Sequence, residues 1–332
     1  MFSNPFAAST SIPGHGTITL AVLPPATPAL QTLSYQYPLK LIAPAATTLP
    51  RHDLDHQLTL IYTIFLLTYG GGLVAGDTIN LQVNLAQKTR LVLLTQGSTK
   101  IFKSPSGDIT CAQLMTVNLA DGSALCYLPD PVQPFEKSAF QQKQVYNMLG
   151  ENGNLCVLDW VCEGRTARGE KWSFSTYASR NEVCTVTAAG RRRLMLRDNV
   201  VLDNDSIGSK SVLSRMHGLG VFGTLILCGQ LFRGLSTSFI EEFKLLPRIG
   251  NRQWDARPGD ERHTQEEIKR AARVEQEAKD QLLWSAAATR GFVVVKFGAK
   301  EVEGARRWLR HMLNAEGTIE REFGEKALLC LR

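Results

Sequence analysis

Paired cysteines of the kind that hold disulfides or structural metals are missing from this chain of 332 residues. No Cys-x-x-Cys pair occurs, and several of the seven cysteines sit inside apolar segments. The cysteines are residues 111, 126, 156, 162, 184, 228 and 330. An odd, scattered set is typical of buried, reduced thiols in a cytosolic protein, so we expect no disulfide scaffold.

Long hydrophobic runs are also lacking. The longest apolar stretch, Leu58 to Leu67, is too short and too rich in β-branched residues to cross a bilayer as a helix. The N-terminus has no charged segment followed by an apolar run and a cleavage site, which is the pattern of a secretory signal. We therefore expect a cytoplasmic protein with no membrane partner.

Dense charge of one sign is confined to one place. The net charge is +6 at neutral pH, but acidic and basic residues are interleaved, and Arg191 to Arg193 form the only dense basic run. No aromatic platform accompanies these arginines to stack on nucleotide bases. The sequence therefore argues against nucleic acid as a partner.

The stretch from Leu60 to Ser104 carries the most distinctive pattern. A β-branched and aromatic run is followed by Gly70, Gly71, Gly72, Gly76 and Asp77, so a strand ends in positions that are free to adopt positive φ. No helix follows, and a phosphate-binding loop needs a helix N-terminus there. A tight turn at a sheet edge, with close approach of a ligand, a partner or a neighbouring backbone, is favoured. The Asp77 carboxylate fits a turn cap better than a ligand.

Many short strands predict a mainly β protein. Period-two alternation from Ile79 to Leu85 indicates a strand buried on one face, and β-rich segments recur from Thr110 to Val186 at intervals typical of hairpins. Because no helices separate them, we expect stacked antiparallel or mixed sheets in a β-helix-like or sandwich-like arrangement. The proline-rich stretch 128–137 is expected to be a rigid loop, not an interior strand, that presents Asp130 and Phe135.

The pattern changes after Gly218, where a few C-terminal helices are expected. The predicted elements are strands at 221–231 and 291–297 and helices at 236–246, 266–288 and 301–314. The helix at 266–288 is predicted from apolar residues at helical spacing and from pairs of Glu with Lys or Arg. We expect one domain over residues 1–332, with a flexible N-terminus at about 1–16 and a charged insertion or helix at about 248–284.

Several motifs, in order, resemble one protein family. They are YGGGLVAGD at 69–77, LLTQGSTKIFKS at 93–104, LPDPVQPF at 128–135, LDWVCEGRTARGEKWSF at 158–174 and LMLRDNVVLD at 194–203. They resemble the urease accessory protein UreD, called UreH in some systems, strongly from Tyr37 to Leu231 and more weakly near the C-terminus. The resemblance implies a non-enzymatic scaffold for nickel insertion into urease. It also implies that the chain binds apo-urease and the accessory proteins UreF and UreG, carries Ni²⁺ only in transit and uses no organic cofactor.

The resemblance and the turns together predict the site residues. Partner-binding or structural roles are expected for Gly70, Gly71, Gly72, Gly76, Thr95, Gln96, Thr99, Lys100, Pro134, Phe135, Arg165 and Arg168. Candidate nickel ligands are the carboxylates of Asp77, Asp130, Glu163 and Glu170, which follow strands or lie in turns, where functional residues gather. Oxygen ligands of this kind suit weak transit sites, because imidazole and thiolate bind nickel more strongly than oxygen does.

Other interpretations stay open at this point. The carboxylates could be structural, with Asp77 as a turn cap and Glu170 as an ion-pair partner of Arg165 or Arg168. Two other functions are a phosphate-binding module on Gly70–Asp77 and a metal-dependent hydrolase that uses Asp77, His52 and Glu170, although no nucleophile with a base is evident. His52 and His56 would share a helix face, but a short segment before a strand favours a surface loop.

Overall fold

The computed structural model describes residues 11–50, 58–106, 109–187, 189–204, 210–246 and 264–332. The strands are β1 (His15–Leu23), β2 (Thr27–Tyr35), β3 (Leu39–Ile42), β4 (Thr47–Pro50), β5 (Leu58–Thr68), β6 (Gly72–Leu73), β7 (Thr78–Leu85), β8 (Arg90–Leu94), β9 (Thr99–Ile101), β10 (Cys111–Leu119), β11 (Ala124–Tyr127), β12 (Val132–Pro134), β13 (Ala139–Met148), β14 (Asn154–Cys162), β15 (Thr176–Val186), β16 (Arg192–Asp203), β17 (Val221–Cys228), β18 (Leu283–Thr289) and β19 (Phe292–Ala299). The α-helices are α1 (Val212–Met216), α2 (Arg233–Lys244), α3 (Gln265–Lys279), α4 (Val302–Glu316) and α5 (Thr318–Phe323). Shorter 3₁₀ turns span Tyr69–Gly71, Thr166–Arg168, Gln230–Phe232 and Glu325–Leu331.

The strands form two sheets, which we call sheet A and sheet B. Sheet A has the order β16-β15-β13-β10-β7-β1-β2, and sheet B has the order β18-β19-β17-β14-β11-β8-β5-β3, with β4, β6, β9 and β12 beside this path. From β7 to β15 the chain passes back and forth between the sheets, and the neighbouring strands of this region are parallel. The fold is therefore a two-sheet coil with antiparallel margins, which confirms the predicted mainly β class of stacked mixed sheets.

The connections differ from the predicted hairpins. The turn at Asp121 and Gly122 joins β10 of sheet A to β11 of sheet B, and the turn at Gly150 to Gly153 joins β13 to β14 in the same way. The hairpin expectation is wrong because each strand pairs with the strand one coil away, so Ala112 lies opposite Thr78. A turn rich in Gly and Asp has the same local sequence in both arrangements.

Two hydrophobic cores separate three layers. The first core lies between the sheets and holds inward-facing residues such as Val83 and Leu93. The second lies between sheet B and helices α2, α4 and α5, and holds residues such as Leu158 and Trp308. Every residue of β14 is buried because both faces of this strand are covered, which explains why its sequence is apolar except at Asn154 and Asp159. In sheet A, β7 and β10 alternate between buried and more exposed positions, since only one face of that sheet meets a core.

Outward-facing asparagines connect three strands of sheet A. Asn118 donates from Nδ2 to Oδ1 of Asn84 at 2.8 Å, and Asn147 donates from Nδ2 to Oδ1 of Asn118 at 2.9 Å. The three residues occupy matching register positions on β7, β10 and β13. We call this arrangement the asparagine ladder; amide ladders of this kind stabilise stacked strands.

The C-terminal region contains a strand where the sequence predicts a helix. Helix α3 ends at Lys279 and β18 begins at Leu283, so the prediction of one helix over 266–288 is wrong beyond residue 279. Trp284 and Ala286 are buried in the second core while the residues beside them are exposed, which is the alternation of a strand. Packing against β19 therefore overrides the helical spacing of this Ala-rich segment.

Of three further expectations, one is wrong over a short segment, one overlaps a strand at its margin, and one lies largely outside the described residues. The stretch 128–137 contains β12, which pairs with β9 and β14, so the prediction of a loop without a strand is wrong over three residues. Strand β1 begins at His15, inside the predicted N-terminal tail. His52, His56 and most of the predicted insertion before α3 lie outside the described residues. In the part of the chain that the structure describes, no helix is long and apolar enough to span a membrane.

Candidate functional site at the corner loops

All of the predicted site residues lie along one edge of the coil. Because the central strands of each sheet are parallel, the four connections that leave sheet B and enter sheet A share one edge. We call them the corner loops; they are residues 69–77, 95–110, 128–138 and 163–175, of which 107–108 are not described. The predicted carboxylates and the predicted partner-binding residues therefore occupy equivalent positions on successive turns of the coil.

Short strands and aromatic contacts hold adjacent corner loops together. Gly72 on β6 lies opposite Lys100 on β9, and β9 pairs in turn with β12 through Pro134. Phe102 packs edge-on against Phe135 of the third loop, with 5.4 Å between the ring centroids. These contacts make the first three loops a narrow third side of the coil.

The three consecutive turn glycines are required for different reasons. Gly70 and Gly71 both have a φ of 73°, and a Cβ on either would meet nothing within 4 Å, so the backbone conformation alone favours glycine there. Gly72 is extended, but its Cβ would lie 2.4 Å from the carbonyl oxygen of Lys100. The predicted close backbone approach is therefore confirmed at Gly72, whereas Gly70 and Gly71 are exposed. Gly76 also has a positive φ, of 87°.

The fourth corner loop is held by the buried carboxylate of Glu170. This carboxylate accepts hydrogen bonds from Nε of Arg165 at 2.9 Å, from the backbone N–H of Arg165 at 3.2 Å and from the backbone N–H of Glu136 at 3.3 Å. The Arg165 guanidinium is the main cause of the lowered pKa of Glu170. Arg165 also covers Phe135, with its guanidinium carbon 4.1 Å from the ring centroid. The ion pair therefore forms with Arg165, and the exposed Arg168 has no such partner in the described part of the chain.

Asp130 connects the second and third corner loops to α4. Its Oδ1 accepts a hydrogen bond from Nη2 of Arg306 at 2.7 Å, and its Oδ2 accepts one from the backbone N–H of Gly97 at 2.9 Å. The hydroxyl of Thr95 accepts from the backbone N–H of Asp130 at 2.8 Å and donates to Oδ2 at 3.2 Å. Gln96, the next residue, is exposed. Asp130 is thus buried and paired, with the predicted Thr95 as its closest support.

Asp77 and Glu163 are held less tightly. Oδ2 of Asp77 accepts a hydrogen bond from the backbone N–H of Val74 at 2.9 Å, and the N–H of Asp77 donates to the Val74 carbonyl at 2.9 Å. Asp77 therefore caps its own turn. Burial raises the pKa of Glu163; Lys171 opposes this shift and Glu301 adds to it.

The corner loops do not bring these carboxylates into one ligand set. Within the described ranges, no group of three or more His, Cys, Asp or Glu side chains could hold a metal ion together. Asp77 and Glu170, which the hydrolase hypothesis needs side by side, lie in the first and fourth loops and are engaged in a turn and an ion pair. The glycine turn leads into β6 and not into a helix, so it lacks the N-terminus that a phosphate-binding loop requires.

A buried polar cluster inside the coil was not predicted from the sequence. Asp159 on β14 lies between the sheets, and its carboxylate accepts hydrogen bonds from Nε2 of Gln142 at 2.7 Å and from Ser179 and Asn181. Burial raises the pKa of Asp159, although these hydrogen bonds oppose the shift. A carboxylate between two apolar sheets costs folding free energy, so its presence points to a functional role.

A small cavity lies between this cluster and the corner loops. Its volume is about 20 Å³, enough for one water molecule. Its lining includes Thr95, Thr99, Asp130, Gln144 and Asp159. Three predicted site residues of the second and third loops therefore meet the interior cluster at this cavity.

Comparisons with known proteins agree with one another. The family model described as UreD urease accessory protein matches residues 14–330. "Urease accessory protein 4" of Cryptococcus neoformans is 31% identical over an alignment of 334 positions, which covers 92% of this chain and 90% of that protein. "Urease accessory protein D" of Arabidopsis thaliana is 31% identical over 209 residues, 63% of this chain and 66% of that protein. "Uncharacterized urease accessory protein ureD-like" of Schizosaccharomyces pombe is 29% identical over 276 residues, 82% of this chain and 84% of that protein.

The match extends from the first strand to the last turn, so it includes both sheets, the helical layer and all four corner loops. The Cryptococcus relative is similar over nearly its full length as well. The motifs that resemble the family lie largely in the corner loops and the strands that precede them. This chain belongs to the UreD family of urease accessory proteins.

Proposed function

We propose that this chain is a non-enzymatic scaffold that binds apo-urease together with UreF and UreG and gives Ni²⁺ a polar route toward the urease active site. Membership of the UreD family supports the role in urease maturation. The observation that carries the nickel step is the polar interior, where Asp159 and its partners lie between the two sheets, among the apolar residues of the first core. The cavity lined by Asp159 and Asp130 supports a connection from this interior to the corner loops.

The chemistry of these groups suits transit. Carboxylate, amide and hydroxyl oxygens bind nickel more weakly than imidazole or thiolate does. Burial raises the pKa of Asp159, and its carboxylate oxygens already accept hydrogen bonds from Gln142, Ser179 and Asn181, which a bound cation would have to displace. Asp130 pairs with Arg306, and it would have to exchange that partner for a cation. Both features favour brief contacts over storage.

In the same proposal, the other predicted carboxylates contact nickel outside the interior cluster. Asp77, Glu163 and Glu170 share the edge of the coil on which Asp130 lies. Glu163 is half-buried, and in the described part of the chain no donor binds its carboxylate. In this proposal Glu163 is the most available outer contact, since Asp77 caps a turn and Glu170 holds Arg165.

The main test removes the interior carboxylate and measures two quantities. We expect Asp159→Asn to lower nickel-dependent urease activation in cells while the complex with apo-urease, UreF and UreG forms at the wild-type yield, because the amide keeps the shape of the side chain. Glu182→Gln is the matched control, since Glu182 is buried on the outer face of sheet A, where Lys143 and Arg197 pair with it. Normal activation by Asp159→Asn would refute the interior route. Parallel loss of activation and complex would indicate a structural role.

The outer carboxylates have a separate test. If they pass nickel in relay, Asp77→Ala combined with Glu170→Ala should lower activation and leave the complex intact, because single losses can be bypassed. If they are a turn cap and an ion-pair partner, the double variant should lose thermal stability and complex yield in step with activation. Unchanged activation with a normal complex would remove both residues from the route.

A further inference from the structure

Five large apolar side chains are exposed around the glycine turn of the first corner loop. They are Ile12, Tyr37, Tyr69, Val74 and Ile109, and their exposed fractions run from 41% to 62%. We call this group the turn patch. Large apolar groups that gather on a surface commonly mark a docking site, whereas single exposed ones do not.

Contacts connect the members of the turn patch. The rings of Tyr37 and Tyr69 lie 5.6 Å apart between centroids, and the backbone N–H of Gly14 donates to the Tyr37 carbonyl at 2.7 Å, which places the segment after Ile12 beside them. The short segment Gly70 to Leu73 leads from Tyr69 to Val74.

Val74 and Ile109 form the other half of the turn patch. The N–H of Asp77 donates to the carbonyl of Val74, and a Cβ on Gly76 would lie 3.6 Å from Cγ2 of Ile109. The glycine turn thus lies between two apolar halves of one surface.

The protein itself leaves the centre of this surface open. A Cβ built on Gly70 or Gly71 would meet no described atom within 4 Å, so these glycines do not serve close packing within the chain. An exposed, side-chain-free turn between aromatic residues offers its backbone to a partner. Tyr is also enriched where protein interfaces are buried, because its ring covers a large area at a low entropic cost.

The charge around the turn patch is positive. Lys40 lies 5.6 Å from the centroid of the Tyr69 ring, and Lys100 lies beside Gly72 on β9. Neither lysine has a carboxylate partner within the described ranges. The nearby carboxylate of Asp77 accepts a hydrogen bond within its own turn. Two copies of this chain in a symmetric contact would bring lysines toward lysines, which disfavours self-association.

We propose that the turn patch docks a protein partner whose contact surface has an apolar centre and an acidic rim. This inference rests on the proposed function, since it assigns one of the assembly contacts to this surface. The lysines steer an acidic partner, and Tyr69 and Val74 supply the apolar anchor.

The test uses purified apo-urease, UreF and UreG as separate probes against the tagged, full-length chain. We expect Tyr69→Ser with Val74→Ser to weaken binding of one of the three probes by at least about tenfold, which is a common loss when an anchoring residue is removed. Leu194→Ser with Val201→Ser is the matched control, because both residues are exposed on β16. This strand is one edge of sheet A, and β1 and β2 lie at the other. The control should bind all three probes as the wild type does, and both variants should keep the wild-type thermal midpoint.

Charge reversal gives a second arm. Lys40→Glu with Lys100→Glu should weaken binding of the same probe, and the difference from wild type should shrink as salt is raised. Unchanged binding of every probe by both patch variants would overturn the inference and leave the proposed function standing. Loss of a wild-type self-association in the variants, or binding of the wild type but not the variants to anionic lipid vesicles, would assign the patch to another occupant and also overturn it. Failure of the wild type to bind any probe would count against the proposed function itself.

Discussion

At the scale of single residues, adjacent glycines of the first corner loop should respond differently to the same change. Gly71→Ala places a Cβ in open space at a φ of 73°, so the cost is the left-handed backbone conformation, about 1 kcal/mol. Gly72→Ala places a Cβ 2.4 Å from the Lys100 carbonyl oxygen. That contact forces β6 away from β9, and overpacking of this kind costs about 1–3 kcal/mol. Urea unfolding of both variants should show the larger loss for Gly72→Ala, and equal losses would contradict this account.

Asp159 should make stability depend on pH in a defined direction. Burial raises its pKa above the value in the unfolded chain, about 3.9, so the folded state binds the proton more tightly. The stabilising effect is fully present below the unfolded pKa and is lost as pH rises through the folded pKa. Asp159→Asn removes this dependence. The unfolding free energy of the variant should therefore increase relative to that of wild type as pH rises from about 4.

Glu182 provides a control of opposite sign for the same urea-unfolding series. Burial acts to raise its pKa, but Lys143 and Arg197 outweigh burial, and its pKa is lowered. Its contribution is present above the unfolded pKa of about 4.3 and is lost as pH falls through the folded pKa. The unfolding free energy of Glu182→Gln should therefore fall relative to that of wild type as pH rises from acid values. The same trend in both variants would contradict the direction assigned to one of the two carboxylates.

At the scale of elements, the asparagine ladder should stabilise the central strands of sheet A. Asn118→Ala removes two side-chain hydrogen bonds and leaves Asn84 and Asn147 without their ladder partner. Half-buried amides that lose a partner cost about 1–3 kcal/mol, so the urea midpoint should fall with an unchanged slope. Thr116→Ala, on the same strand and face, is the control and should change the midpoint little. An unchanged midpoint for Asn118→Ala would contradict this prediction and would mean that water replaces the hydrogen bonds of the ladder without loss of stability.

The strands were predictable because apolar alternation is local, and their connections were not. The residues that pair across β7 and β10 are more than thirty positions apart, as with Thr78 and Ala112, and no turn signal reports that distance. The helix predicted after Lys279 is absent for a related reason. Trp284 and Ala286 lie on a strand that pairs with β19, and this pairing decides the structure, not the helical spacing of the local sequence.

The site residues in the corner loops could be predicted from the sequence, whereas the site residue inside a strand could not. Proline, glycine and the family motifs marked the corner loops, including Asp130 and Thr95. Asp159 was missed because a single carboxylate in an apolar strand does not reveal which layer it faces. The polar residues at alternate positions of β13, Gln142 and Gln144, carried a usable signal, since polar groups on the inward side of one strand need partners on the next.

At the scale of the whole molecule, assembly should raise the stability of this chain. A partner that binds only the folded state adds about 2.7 kcal/mol at one hundred times its dissociation constant. We expect the thermal midpoint to rise when the probe assigned to the turn patch by the binding test, whether apo-urease, UreF or UreG, is added in that excess. The Tyr69→Ser and Val74→Ser double variant should show a smaller rise at the same concentration. An unchanged midpoint for wild type at saturation would contradict partner binding to the folded chain.

The covering of sheet B by C-terminal helices also constrains how the protein is made. Sγ of Cys330 donates to the carbonyl of Thr95 at 3.3 Å across a separation of 235 residues. A ribosome that adds roughly 5–20 residues per second needs about 10–50 seconds to supply that separation. Until the end of this interval the apolar outer face of sheet B lacks α4 and α5 of its helical layer, so a growing chain should need a molecular chaperone to reach the folded state without aggregating.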